Sequence, residues 1–180
     1  MHILIRAIVY GKDKEEGLEQ ARSIFEGLCE YQHPFDYYSM FDEENFGKWA
    51  KGRWGNLPAI TLAKSKKGKE LIREGMNLTK KFFMQYIKKV RKILDECKND
   101  EELFEQRYVN IDKDIRWNCY PLGENRGPFT YLYDNDGEGI KTPSHLRDVL
   151  NKWKSIYEGK GKSNPYKDKK IWVVPADMHF

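Results

Sequence analysis

The chain has 180 residues, 39% of them hydrophobic and 14% aromatic, with a net charge of +4. That length suits one domain, or one domain with an insertion, and a core that needs no disulfide or metal staple. No apolar run approaches the roughly 18 residues of a membrane span, and Cys29, Cys97 and Cys119 form no C-x-x-C pair, so a reducing cytoplasm without membrane contact is expected. The MHILIRAIVYGK start reads as a strand and not as a signal peptide. Charged residues reach 33% and Gln occurs only at positions 20, 32, 85 and 106, which leans toward a thermophilic source; a Lys-rich mesophile gives the same numbers.

Residues 2–10, HILIRAIVY, predict a β-branched strand whose two faces are both largely apolar, hence a central strand covered on at least one side. Asp13 and Glu16 read as a capping-box variant opening a helix to about Glu30, with Leu18, Ala21, Phe25 and Leu28 on its inner face. FDYYSMF (35–41) is a second strand. Residues 42–57 are a loop with at most one helical turn, and PAITLA (58–63) is a short strand. The period of Leu71, Gly75, Leu78, Phe82, Tyr86, Val90, Ile93 and Cys97 predicts a long helix from about Lys67 to Lys98, starting or bending at Gly75 because glycine costs about 1 kcal/mol there.

A short acidic helix follows at 101–108, then strands at 115–120 and 128–134. Asp136–Gly137 makes a hairpin turn into 139–142. Thr142 caps a helix with Pro143 at its first position, running to Glu158. The last strand is IWVV (171–174). The expected organisation is a single α+β domain over 1–175 with a C-terminal tail at 176–180. The fold class is a ferredoxin-like mixed sheet, helices on one face, with the long amphipathic helix inserted. A mostly parallel α/β sheet is the alternative.

The clearest functional signal is charge placement. Residues 64–98 carry twelve Lys and Arg against four acids, a net +8, while residues 12–48 sum to −6. Lys80, Lys81, Lys88, Lys89, Arg91 and Lys92 have the spacing to sit on outer or flanking faces of the long helix, and a second basic run lies at 151–170. Together they suit phosphate neutralisation; a solvated Lys-rich helix beside an acidic one explains the same charges. Arg53 and Arg126, among the glycines of 42–57 and 121–127, suit anion capture.

Other signals carry less. The aromatics Tyr31, Tyr37, Tyr38, Trp49, Trp54, Trp117, Tyr120 and Tyr133 suit base stacking or ordinary packing. The DNDGEG segment (134–139) fails the calcium-loop pattern and fits a hairpin turn. EGKGKS (158–163) lacks the first glycine of a phosphate loop. Asp177 and His179 share one face if extended, and His2 joins them if the first and last strands are neighbours, a set that suits a divalent metal. Asp112 and Asp114 read as a connector. No hydrolase, zinc or dinucleotide motif occurs.

The reading is a small binding module, without cofactor, that engages nucleic acid or an acidic protein through the Lys-rich helix. The alternatives are an enzyme on a phosphorylated or nucleotide substrate, using Arg53 and Arg126 with Asp134, Asp136 or Asp177 and His179, and a homo-oligomeric accessory protein built on the long helix.

Overall fold

The structure, a computed structural model, describes residues 1–30, 35–42, 46–109, 114–115, 130–158 and 168–179. In chain order the elements are β1 (His2–Gly11), α1 (Lys14–Glu30), β2 (Tyr37–Met40), α2 (Phe46–Trp54), β3 (Thr61–Leu62), α3 (Lys66–Glu96), α4 (Asp100–Val109), β4 (Leu132–Tyr133), α5 (Pro143–Glu158) and β5 (Lys170–His179). The fold is mixed α+β. Residues 116–120 of the expected strand at 115–120 and the loop at 121–127 lie outside the described residues, as does most of the loop at 159–170.

β1 and β5 pair antiparallel over ten residues each, from His2 opposite His179 to Gly11 opposite Lys170. β4 joins the free side of β1 in parallel, while β2 and β3 both pair antiparallel with β5. Only the β1–β4 contact is parallel, so the mostly parallel alternative does not hold among the described residues.

Strand alternation gives this pair two faces. Ile3, Ile5, Ala7 and Val9 of β1 and Trp172, Val174, Ala176 and Met178 of β5 pack against Ala21, Ile24, Phe25 and Leu28 of α1. On the other face, Ile8 and Val173 meet Leu71, Ile72 and Met76 of α3 and Val149 of α5. Leu4, further along that face, packs with Phe41 and with Ala50 of α2. Helices therefore cover both faces, which departs from the expected one-sided, ferredoxin-like arrangement. The cause is visible in β1: both of its faces are apolar, and each needs cover.

β5 does not stop at Val174. Residues 176–179, expected as a tail, pair with both β1 and β2. Pro175 is tolerated in this central strand for a geometric reason. The Arg6 amide donates to Tyr131 O at 3.1 Å, on the β4 side. Its partner Pro175 is thus in a non-hydrogen-bonded pair with β1. The missing N–H of Pro175 faces the opposite edge, where β3 reaches Val173 and β2 reaches Ala176, with neither opposite Pro175. No ladder bond is lost.

The local signals for helix starts hold. The Glu16 amide donates to Asp13 Oδ1 at 3.0 Å, and Glu16 Oε2 accepts from the Lys12 amide at 2.6 Å. The His145 amide donates to Thr142 Oγ1 at 3.1 Å. Ser65 caps α3, accepting from the Gly68 amide at 3.0 Å and donating to Leu62 O at 2.7 Å.

α3 runs unbroken through Gly75. A side chain there would place Cβ 2.8 Å from Leu132 Cγ and 3.2 Å from Arg6 Cδ, and Leu132 is 0% exposed. The glycine is where the helix sits down on the sheet. Gly75→Val is expected to destabilise the chain by about 1–3 kcal/mol through overpacking, against the fraction of a kcal/mol that helix propensity returns. Equilibrium denaturation checks this; an unchanged or raised midpoint would show that the helix is free to lift.

Candidate functional site

Two regions hold the candidate residues: the outer face of α3 and the end of the sheet where β1 begins and β5 finishes. α3 has 31 residues, and its buried residues lie almost entirely in the first half: Gly68, Leu71, Ile72, Gly75, Met76 and Thr79, then only Ile93. Thr79 fixes the end of the seated part. Its hydroxyl donates to Gly75 O at 3.0 Å and accepts from the Tyr131 amide at 2.9 Å. Beyond it, Lys80, Lys81, Lys88, Lys89, Arg91 and Lys92 are all exposed.

At 3.6 residues per turn these cations form rows. Lys80 and Arg91 fall within about 20° of one another around the helix, and Lys81, Lys88 and Lys92 within about 40° in an adjacent row. Lys89 stands apart, its Nζ 5.3 Å from the centre of the Tyr86 ring. Lys92 is 3.5 Å from Glu96 Oε1. Among the described residues, Lys80, Lys81, Lys88 and Arg91 have no carboxylate within ion-pair distance.

Arg53 is not part of this surface. It lies on α2 and pairs with Asp177 Oδ2. Asp177 is 2% exposed, and its other oxygen, Oδ1, is 3.1 Å from His2 Nδ1. Asp177, His179 and His2 therefore lie together, as the sequence allowed only if the first and last strands were neighbours. His179 stacks on Tyr37 with ring centres 4.7 Å apart, lies edge-on to His2 at 4.8 Å, and has Nδ1 2.9 Å from Asp36 Oδ2. The metal reading does not follow from it. Both oxygens of Asp177 are engaged, and no group of three or more His, Cys, Asp or Glu able to hold a metal occurs among the described residues.

One strand pair further in, Arg6 is 2% exposed. It donates to Leu4 O at 2.7 Å and to Glu74 Oε2 of α3 at 3.2 Å. Burial pushes its guanidinium down and Glu74 opposes that, but an arginine stays charged. This link was not anticipated. Arg6 in an apolar strand was the signal that could have found it, because a buried charge demands a partner.

The other candidates divide. Arg126, Trp117, Tyr120, Tyr31 and Asp112 lie outside the described residues. The aromatics that are described do not gather into a platform: Trp49 is exposed on α2, Tyr133 is buried, and Tyr38 packs against Phe25 with its hydroxyl on Glu26. Burial and Glu26 push the Tyr38 hydroxyl up to about 12. Asp134 belongs to its own turn, its Oδ1 accepting from the amides of Asp136 at 3.0 Å and Glu138 at 2.9 Å.

The sequence matches, over residues 1–180, the family described as Domain of unknown function (DUF7995). The chain belongs to the DUF7995 family. No curated protein and no solved structure matches it. Among the described residues of this DUF7995 chain, no helix is long and apolar enough to cross a membrane.

The strand-end cluster ties α2 to the sheet, so its loss should show in stability. Asp177→Asn is expected to cost about 1–3 kcal/mol, since it weakens two charge-assisted contacts in a buried place. Arg53→Gln should cost less, because the arginine side chain is about one-third exposed. Urea denaturation of both variants checks the order; equal stability of Asp177→Asn and the parent would make the cluster energetically idle.

Proposed function

We propose that this protein is a polyanion-binding module, with nucleic acid as the first candidate, and that the outer face of α3 is its working surface. One observation carries the reading: Lys80, Lys81, Lys88 and Arg91 stand exposed on the second half of α3 with no carboxylate within ion-pair distance among the described residues. Unpaired cations in rows repel one another and hold a counterion layer, and a phosphate backbone that displaces that layer gains the released entropy. A reducing, cytoplasmic setting suits the free thiols Cys29 and Cys97, and burial pushes the Cys29 thiol up to about 11, away from ready oxidation.

Fluorescence anisotropy with labelled single- and double-stranded DNA and RNA tests the reading. Binding should weaken with salt on a log–log slope of about −4 or steeper, at roughly −0.9 per duplex phosphate neutralised. The combined change of Lys80, Lys81, Lys88 and Lys89 to Glu should abolish it. Retained affinity in that variant sinks the reading, and binding only to an acidic polypeptide would move it to an acidic protein partner.

A second reading rests on the apolar side of the same segment. Phe83 is 48% exposed, Met84 43% and Leu94 48%, and Phe83, Ile87 and Leu94 fall within about 40° of one another around the helix. Exposed apolar rows of this kind serve interfaces, here a second copy of the chain. Light scattering should then report a dimer in the parent and a monomer in Phe83→Ser/Leu94→Ser; a monomeric parent at high concentration removes this reading.

A further inference from the structure

Between the seated half of α3, α5 and the start of β5 lies a groove of about 680 Å³. That size is in the range of small-molecule sites. Its floor is aliphatic. Ile72 and Met76 of α3 lie on one side, Leu146 and Leu150 of α5 on the other, with Leu62 and Ile171 at one end. Among the described residues no aromatic ring and no carboxylate lines it.

The rim is cationic. Lys64, Lys69, Arg73 and Lys170 surround the opening. Nearby lysines are neutralised: Lys67 pairs with Glu70 at 3.3 Å and Lys169 with Glu16 at 2.6 Å. The four rim cations have no such partner among the described residues. Floor and rim therefore ask for different halves of one ligand. An aliphatic floor open to water favours an alkyl tail by the area it removes from solvent. The described lining offers a nucleobase no ring to stack on. Unpaired cations at the mouth favour an anionic head through charge-assisted hydrogen bonds. Met76, unbranched and polarisable, adapts to a flexible chain.

We propose that this groove binds a single-chain aliphatic anion, an alkyl carboxylate or alkyl phosphate, with its tail on the Ile72–Met76–Leu146–Leu150 floor and its head at Lys69 and Arg73. The proposal does not rest on the polyanion reading, whose cations lie further along α3.

Isothermal titration of the full chain tests it with decanoate and decyl phosphate, both below their micelle-forming concentrations. Saturable binding at one ligand per chain is expected, and the tighter of the two identifies the head. Decyltrimethylammonium, with the same tail and opposite charge, and inorganic phosphate, with no tail, should each bind at least tenfold more weakly. Lys69→Gln/Arg73→Gln should weaken decanoate or decyl phosphate about tenfold or more, and Leu150→Trp, which fills the floor, should do likewise. If Leu150→Trp fails to fold by circular dichroism, the rim variant and the two control ligands still decide. The variant carrying Glu at 80, 81, 88 and 89 should keep its amphiphile affinity. Absence of binding overturns the proposal. So does equal binding of the cationic amphiphile or of phosphate alone, unchanged affinity in a folded rim or floor variant, or loss of affinity in the distal charge variant.

Discussion

Everything in this fold leans on the antiparallel pairing of β1 with β5. The two strands come from opposite ends of the chain and pair along their whole length. Each is nearly buried from end to end. A strand buried on both faces contributes side chains to two cores at once, each large apolar side chain worth about 1.5–3 kcal/mol of transfer free energy. α1 closes one core and α3 with α5 the other. Ordering such a distant contact is entropically costly, and the double burial is what offsets it.

The second face of that pair changes character along its length, and the change organises the molecule. Reading from the Gly11 end, the cross-strand partners are Tyr10 and Ile171, Ile8 and Val173, Arg6 and Pro175, Leu4 and Asp177, then His2 and His179. The first two pairs are apolar and take α3. From Arg6 onward the face carries charge, and each buried charge is met by a helix residue: Glu74 of α3 for Arg6, Arg53 of α2 for Asp177. Buried ion pairs rarely add much net stability, because desolvation consumes the Coulomb gain. Their effect here is positional. Replacing the contacts with apolar ones would let α2 and α3 slide along a uniform surface, whereas a charge in a fixed place admits one register. Arg6 keeps an unpartnered Nε, so this fixing comes with an incompletely satisfied group.

Local features were readable from the sequence, and distant ones were not. Asp13 with Glu16, Thr142 with Pro143, the turn at Asn135–Glu138 and, to within two residues, the ends of α3 are written in residues a few positions apart and appear, whereas the expected start or bend at Gly75 does not. α2 was not expected, because Gly47 and Gly52 argue against a helix. What favours it is Ala50 packing on Phe41 and Leu4, a tertiary contact that overrides propensity. The end of β5 was misjudged for a similar reason: Pro175 reads as a strand stop until the gap between β2 and β3 is known. At the candidate site, period two placed Asp177 and His179 on one face. The register that brings His2 to them is set by burial across the whole strand pair, and Arg53 meets Asp177 across 124 residues. The cations of α3 were legible as a class because charge needs no register to be counted. Their exposure depends on where the helix leaves the sheet, which is decided at Thr79 and Tyr131.

The second half of α3 raises a last physical question, namely why it is helical at all. Seventeen residues from Lys80 to Glu96 form a segment of marginal stability alone in water. Several contacts support it. Phe82 and Tyr86, one turn apart, have ring centres 4.8 Å apart, and Phe82 reaches Tyr131 at 6.5 Å. Lys92 pairs with Glu96 in the i,i+4 arrangement, Lys89 sits over Tyr86, and Ile93 is buried near the end. The seated half also supplies the nucleus, so the distal half needs only propagation. None of these contacts uses Lys80, Lys81 or Lys88, and Lys and Glu have nearly equal helix propensity. Lys80, Lys81 and Lys88 are thus dispensable to the helix that carries them. That freedom is what the proposed polyanion reading builds on, since charges the helix does not use remain available to a charged partner.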